Sequence, residues 1–144
     1  MENVLLVAYD DDEGSRRALD FAVSRAEASG ASLRLLHVLH WSPYSFLTQE
    51  ELAERHKRRN EEMARAKAAV VGPALERLKG SAVEVEGLIR YGNPAEVICA
   101  VARETGACQI FVGRVGGTTL SERLFGGVAS TLVQAAPVPV TVVP

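Results

Sequence analysis

Residues 4–30 read VLLVAYDDDEGSRRALDFAVSRAEASG and give the clearest indication of the fold. Val4–Ala8 is a short, nearly continuous apolar run, which is typical of a strand buried on both faces of a sheet. Acidic residues follow at positions 10–13, and beyond them apolar residues recur at helical spacing, at Leu19, Ala22, Val23 and Ala26. Gly30 is a helix stop signal. The stretch therefore predicts a buried strand followed by a helix.

The same alternation of strand and helix continues to the end of the chain. Further strands are predicted at Leu33–Val38, Val83–Ile89, Gln109–Val112 and Val138–Val143. Helices are predicted from Thr48 to Leu78 with a kink or break near Gly72-Pro73, from Pro94 onward, and around Phe125, Val128, Ala129 and Leu132. Because Val83–Ile89 alternates apolar and polar residues, we expect it near a sheet edge. The pattern predicts an α/β fold, a five-stranded parallel open sheet with helices on both faces, similar to Rossmann-like proteins.

Length and composition narrow the class of protein. The chain has 144 residues, so we expect one domain over residues 1–144. Its formal net charge of -2 gives no electrostatic attraction to nucleic acid. No apolar run approaches the roughly 18 residues of a membrane span, and the N-terminus lacks a signal-type segment. We therefore expect a cytoplasmic protein with neither a nucleic-acid partner nor a membrane span.

Several common kinds of site lack their sequence signature. Cys99 and Cys108 form no C-x-x-C pair, and we expect both to be buried as small apolar residues. His37, His40 and His56 have no metal-ligand spacing, which predicts no histidine metal site. No serine lies in a nucleophile elbow, so no catalytic residue is predicted.

In parallel α/β sheets, ligands bind at the carboxyl ends of the strands, where the strand order reverses. The loops at these ends are predicted at residues 10–13, 39–47, 91–93 and 113–119. Trp41, Tyr44 and Phe46 lie in the second of them, and three interpretations remain open: a lid over an adenine, a partner surface, or packing on the core.

Five of the twelve glycines lie between Gly113 and Gly127, after a predicted strand and before a predicted helix. Their spacing is Gly113-x-x-Gly116, then nine residues to Gly126. Such glycines let the backbone approach phosphate oxygens, but they also shape turns, and both interpretations stay open. Neither a P-loop nor a glycine triplet after the first strand is present.

With Gly127 after Gly126, this spacing resembles the G-x2-G-x9-G-[ST] motif of the universal stress protein family. The resemblance extends along the whole chain. It includes the first strand ending in Asp10, Leu35-Leu-His-Val38, Gly92-Asn-Pro-Ala-Glu-Val-Ile98 and Pro137-Val-Pro-Val-Thr-Val-Val143.

The resemblance implies an adenine-nucleotide site, for ATP or AMP, with Mg²⁺ accompanying ATP. By position it implies that Asp10 and Val38 contact the adenosine, and that the glycine motif holds ribose and phosphates. The site residues so implied are Ala8, Asp10, Val38, Val112, Gly113, Gly116, Gly117, Thr118, Gly126, Gly127 and Val128. An alternative for Asp10 is a helix-terminus role. The resemblance also implies a homodimer through Val138–Val143 and an unidentified protein partner.

The chain departs from the family pattern at two places. Gly127 stands where the motif has Ser or Thr, and Ala129 removes a further hydroxyl, whereas Arg114, Thr118 and Thr119 can partly compensate. Asp11-Asp12 replaces the usual Gly-Ser, and we expect these acids to point outward as helix-start residues.

Three functions follow as hypotheses. The first is a regulatory module of the stress response that binds an adenine nucleotide. The second is a dimeric adaptor of the same fold that has lost ATP binding because Gly127 replaces the motif Ser/Thr. The third is slow nucleotide hydrolysis at the same site.

Overall fold

A computed structural model describes residues 3–40, 48–114 and 127–144 of the chain. The strands in these ranges are β1 (Val4–Ala8), β2 (Ser32–His40), β3 (Val85–Gly92), β4 (Gln109–Gly113) and β5 (Val140–Val143). The helices are α1 (Glu13–Ser29), α2 (Gln49–Ala66), α3 (Gly72–Leu78), α4 (Pro94–Thr105) and α5 (Val128–Ala135). A π-helical turn, Lys67–Val71, joins α2 to α3.

All strand pairs are parallel, and the order in the sheet is β3-β2-β1-β4-β5. The predicted α/β fold is confirmed, and so is the place of β3 at an edge. The chain proceeds from β1 to one side of the sheet and later returns to β4 on the other side. The strand order therefore reverses between β1 and β4, which leaves a crevice at their carboxyl ends.

Side chains of the central strands pack on both faces of the sheet, because successive residues of a strand point to opposite sides. Leu5, Val7 and Leu35 belong to one core cluster with residues of α1, the π-helical turn and α3. Leu6 and Leu36 belong to a second cluster with residues of α4 and α5. Both faces of the sheet are thus covered by helices.

Several predicted strand boundaries are wrong. β2 is Ser32–His40 rather than Leu33–Val38, β3 ends at Gly92 rather than Ile89, and β4 ends at Gly113 rather than Val112. The third strand begins at Val85 rather than Val83, because residues before it form a turn in which the Val83 N–H donates to Ser81 Oγ at 3.1 Å. The fifth begins at Val140 rather than Val138, because proline at position 139 has no N–H for a regular ladder, although its carbonyl accepts from Ile110 N at 2.9 Å.

The loop predicted at residues 39–47 starts later than expected. Leu39 and His40 still belong to β2, where they pair with Tyr91 and Gly92 of β3. Residues 41–47, and with them the three aromatic residues, lie outside the described part. Cys99 is buried as expected, but Cys108 is exposed, because it stands at the amino end of the sheet just before β4.

The long helix is interrupted close to the predicted position. Its N-cap is Thr48, whose hydroxyl accepts from Glu51 N at 3.1 Å. The Gly72 N–H reaches the Lys67 carbonyl, five residues back, which closes the π-helical turn just before Pro73. A Cβ at Gly87 of β3 would lie 2.6 Å from Val71 Cγ1, so this glycine allows the turn to pack closely on the edge strand.

Candidate functional site

A cavity of about 650 Å³ lies at the carboxyl ends of β1 and β4. Its apolar wall continues the core under α4 and α5 and consists of Ala8, Leu36, Val38, Ile98 and Val112. The polar part of its lining comes mainly from the segment that joins β1 to α1. The cavity therefore lies in the crevice that the strand order creates.

Seven of the eleven site residues named from the sequence line this cavity: Ala8, Asp10, Val38, Val112, Gly113, Gly127 and Val128. The other four, Gly116, Gly117, Thr118 and Gly126, lie outside the described residues. The lining also includes Arg114, which the sequence suggested as a compensating phosphate donor. Its other members were not assigned from the sequence, namely Tyr9, Asp12, Glu13, Gly14, Ser15, Arg17, Leu36, Pro94 and Ile98. Periodicity could have indicated Leu36, two positions before Val38 on the same strand face, and Ile98, one helical turn after Pro94.

Asp12, and not Asp10, is the terminal residue of α1. Asp12 Oδ1 accepts from Ser15 N at 2.7 Å, and Ser15 Oγ accepts from Asp12 N at 3.2 Å, which forms a capping box. Ser15 Oγ also accepts from Asp10 N at 3.1 Å. The helix-terminus interpretation of Asp10 is therefore wrong, and the carboxylate of Asp10 takes no part in the cap.

Asp11 points away from the cavity, as expected. It has a left-handed backbone with φ 54°, and Tyr9 donates its hydroxyl hydrogen to Asp11 Oδ1 at 2.9 Å. Arg16 donates to the Asp11 carbonyl at 2.7 Å and to Asp11 Oδ1 at 3.3 Å. These hydrogen bonds, that of Tyr9 first, lower the pKa of the Asp11 carboxyl group. Asp12 is a helix-start residue, as expected, but it does not point away from the cavity, because its place as N-cap of α1 puts it in the lining.

A buried histidine holds the backbone beside Asp10. His37 Nδ1 lies 2.8 Å from the Tyr9 carbonyl oxygen and 3.5 Å from Asp10 Oδ1. Since a carbonyl oxygen only accepts hydrogen bonds, Nδ1 carries the proton. The Asp10 side chain is 73% exposed and available to a ligand. Partial burial raises the pKa of Asp10, the nearby His37 opposes this, and Asp12 and Asp11 raise the pKa further.

Gly113 allows β4 and α1 to touch through their backbones. A Cβ at Gly113 would lie 2.5 Å from the carbonyl carbon and oxygen of Gly14, far inside van der Waals contact. A Cβ at Gly14 would in turn lie 3.2 Å from the Arg114 carbonyl oxygen. The first glycine of the motif is therefore required for packing, whatever its contribution to a ligand.

Two further features, a metal site and a membrane-spanning helix, are not found among the described residues. No group of three or more His, Cys, Asp and Glu side chains in residues 3–40, 48–114 and 127–144 could hold a metal ion. Over the same ranges, every helix is too short or too polar to cross a membrane.

Comparison with known proteins gives consistent matches over the whole chain. The model of the universal stress protein family matches residues 1–144. Universal stress protein YxiE of Bacillus subtilis (strain 168) is 32% identical over 148 residues, which cover 99% of each chain. The structure of universal stress protein UspA from Lactobacillus plantarum has a TM-score of 0.82 at 24% identity and covers 99% of this chain and 97% of its own.

Two further structures of similar fold contain a nucleotide. One is a universal stress protein in complex with cAMP, with a TM-score of 0.69 at 22% identity, covering 99% of this chain and 97% of its own. The other is the universal stress protein from Archaeoglobus fulgidus in complex with dAMP, with a TM-score of 0.65 at 18% identity, covering 100% and 98%.

Proposed function

Because the chain belongs to the universal stress protein family, we propose that it binds an adenine nucleotide, ATP or AMP, at the carboxyl ends of β1 and β4. The observation that carries the proposal is the cavity of about 650 Å³, whose lining includes all seven described residues that the resemblance named. This volume is within the usual range for small-molecule sites. The two relatives in complex with cAMP and dAMP support the same ligand class.

The lining suits the parts of an adenine nucleotide. Apolar side chains such as Ala8, Val38 and Val112 offer a surface for the adenine ring. The carboxylate of Asp10 accepts hydrogen bonds from ribose hydroxyl or adenine amino groups. Gly113, Gly127 and Val128, together with Gly116, Gly117, Thr118 and Gly126, hold the ribose and phosphates in this proposal. Mg²⁺ accompanies ATP and offsets the negative charges of Asp12 and Glu13.

The nucleotide acts as a regulatory ligand in the stress response, and its occupancy is sensed by a protein partner. We propose that this takes place in the cytoplasm, because a reducing compartment suits the free thiols Cys99 and Cys108. The functional unit is a homodimer formed through the C-terminal strand Val138–Val143, whose β5 part lies at an edge of the sheet that the described residues form.

Calorimetric titration of nucleotide-free protein with AMP and ATP, each with and without Mg²⁺, tests the proposal. We expect saturation near one nucleotide per chain, and a loss of affinity of about 10-fold or more in Asp10→Ala, because hydrogen bonds to charged groups are strong. Asp20→Ala is the control, because it removes the same charge from α1 outside the cavity lining. No heat and no thermal stabilisation up to millimolar nucleotide would overturn the proposal.

The structure also contains an observation that favours a dimeric adaptor without nucleotide. Gly127 is the N-cap of α5 with φ 90°, and it supplies no side-chain hydrogen bond there. The hydroxyl that the family motif has at this position is therefore missing both as a cap and as a phosphate donor. If the protein is such an adaptor, the calorimetric titrations with AMP and ATP give no binding heat, and the protein sediments as a dimer.

A further inference from the structure

Arg17 is a cation that lies between two features of the molecule. It lines the cavity at the carboxyl ends of β1 and β4, and it also lines a shallow groove between α1 and β5. Its guanidinium bonds Glu13 Oε1 at 2.8 Å through Nη1, and donates through Nε to the main-chain oxygen of Pro144 at 3.1 Å. The side chain is 48% exposed, so solvent and a ligand can reach it.

Arg17 can exchange its contacts with Glu13 and Pro144 for contacts with a ligand. The Glu13 side chain is 85% exposed, and ion pairs between exposed groups contribute little to stability. A guanidinium has five donors in a planar arrangement that matches phosphate oxygens. A phosphate entering the cavity can accept two parallel hydrogen bonds from Arg17, whereas the solvated Glu13 carboxylate and the Pro144 main-chain oxygen each receive one.

Two other arginines lie near the cavity, Arg16 and Arg114. Arg16 turns away from the cavity to hold Asp11 through its carbonyl and carboxylate oxygens. Arg114 lines the cavity as well, just after the end of β4, where its backbone N–H is bonded to the Val143 main-chain oxygen at 2.9 Å. This bond fixes the backbone of Arg114 and does not engage its guanidinium, so Arg114 is the alternative cation for the same phosphate. Arg17 stands on the second turn of α1, whose first turn is fixed by the capping box of Asp12 and Ser15. Its position is thus defined by a regular element.

We propose that Arg17 recognises the phosphate of the bound nucleotide, leaving Glu13 and Pro144 to do so. This inference rests on the proposed nucleotide site, and it assigns the phosphate contact to a residue outside the glycine motif. The ligand class is a nucleotide with a phosphate on its ribose, in preference to the bare nucleoside.

The first test compares adenosine with AMP, because the ratio of their affinities isolates the phosphate. We expect Arg17→Gln to lower the preference for AMP by about 10-fold and to leave adenosine affinity within about 2-fold. Arg25→Gln removes the same charge from an exposed position of α1 outside the cavity and should change neither value. An AMP preference that survives in Arg17→Gln, or that falls equally in Arg25→Gln, would overturn the inference.

The second test needs no adenine and so separates this inference from the proposed function. Inorganic phosphate is titrated into the wild-type protein while the Nε–H resonances of Arg17 and Arg25 are followed by NMR. We expect a saturable shift of the Arg17 resonance and none of Arg25. An unmoved Arg17 resonance contradicts the phosphate role, whereas absent adenosine and AMP binding with a shifted resonance contradicts only the nucleotide site.

Discussion

At the scale of single residues, two adjacent carboxyl groups have opposite pKa shifts. Partial burial raises the pKa of Asp10, whereas hydrogen bonds from Tyr9 and Arg16 lower that of Asp11. In the proposed site, Asp10 is available to the nucleotide at a small electrostatic cost to the ligand-free protein, because its side chain is 73% exposed. Asp11 instead fixes the loop that presents it.

We expect Asp10→Asn to stabilise the ligand-free protein at pH 7 while weakening adenosine binding about 10-fold or more. A carboxyl group whose pKa is raised by folding favours the folded state below its unfolded pKa of about 3.9, and that contribution is lost as pH rises through the folded pKa. The melting temperature of Asp10→Asn should therefore exceed that of the wild type at pH 7, and the difference should vanish below about pH 4. A lower melting temperature at pH 7 would contradict this.

The left-handed backbone of Asp11 is tested by comparing Asp11→Gly with Asp11→Ala. Both changes remove the carboxylate that Tyr9 and Arg16 contact, but only alanine keeps a Cβ at φ 54°. We expect the urea midpoint of Asp11→Ala to be lower than that of Asp11→Gly, because left-handed backbone is strained for every residue with a Cβ. Equal midpoints would show that the loop relaxes without strain.

Sequence reasoning was sufficient to place Asp10 at the carboxyl edge of the sheet, and insufficient to predict the contacts of its neighbours. Asp10 follows a buried strand, so the parallel sheet alone directs it to the ligand edge. The left-handed conformation of Asp11 depends on contacts with Tyr9 and Arg16. Arg17 contacts Pro144, which is 127 residues away in the sequence. Neither contact leaves a periodic signal in the sequence.

At the scale of secondary structure, glycines set how closely strands and helices approach. We expect Gly113→Ala to cost about 1 to 3 kcal/mol of unfolding free energy, because its Cβ would require the backbone of Gly14 to move. Gly80→Ala is the matched control, because a Cβ there meets nothing within 4 Å, and it should change stability by less than about 0.5 kcal/mol. Denaturant unfolding of both variants measures the difference.

The contact between the π-helical turn and β3 predicts a compensating pair. Gly87→Ala should cost about 1 to 3 kcal/mol, because the new Cβ would meet Val71 Cγ1 and Leu75 Cδ1. In a Val71→Ala background the same change should cost about 1 kcal/mol less, because the space it needs is vacant. A double-mutant cycle from denaturant unfolding measures this coupling, and simple additivity would argue against the close approach.

The sequence could predict that this helix is interrupted, but not how. Gly72-Pro73 is a local signal for a break. The interruption could be a kink, a gap or a π-helical turn. Its form depends on how Val71 and Leu75 pack on Gly87, and this packing is defined only in the folded sheet.

At the scale of the whole molecule, β5 is an edge strand of the sheet that the described residues form, and in the proposed dimer this edge determines how two chains meet. In a parallel sheet, the N–H and C=O groups of one residue point to the same side of the strand, and those of the next residue point to the opposite side. Because the carbonyl groups of Pro139 and Val143 accept from β4, the N–H groups of Val140 and Val142 point to the open edge. The missing N–H of Pro139 faces β4, so this proline does not block pairing at the edge.

We therefore expect the wild-type protein to sediment at twice the chain mass of 15.5 kDa, and Val142→Pro to sediment as a monomer. Pro139→Ala should remain dimeric, because it adds an N–H on the side of β4. Sedimentation velocity distinguishes these species, and circular dichroism verifies that the variants are folded. A dimeric, folded Val142→Pro would exclude the proposed edge.

The central place of β1 in the sheet has a consequence for synthesis on the ribosome. β1 emerges first and can pair with β2 early, but its other neighbour, β4, follows only after about 100 further residues, a delay of roughly 5 to 20 s at ordinary elongation rates. During that interval the most buried strand of the protein has one open edge, the kind of surface on which chains aggregate. We therefore expect the nascent chain to be most prone to aggregation before β4 arrives.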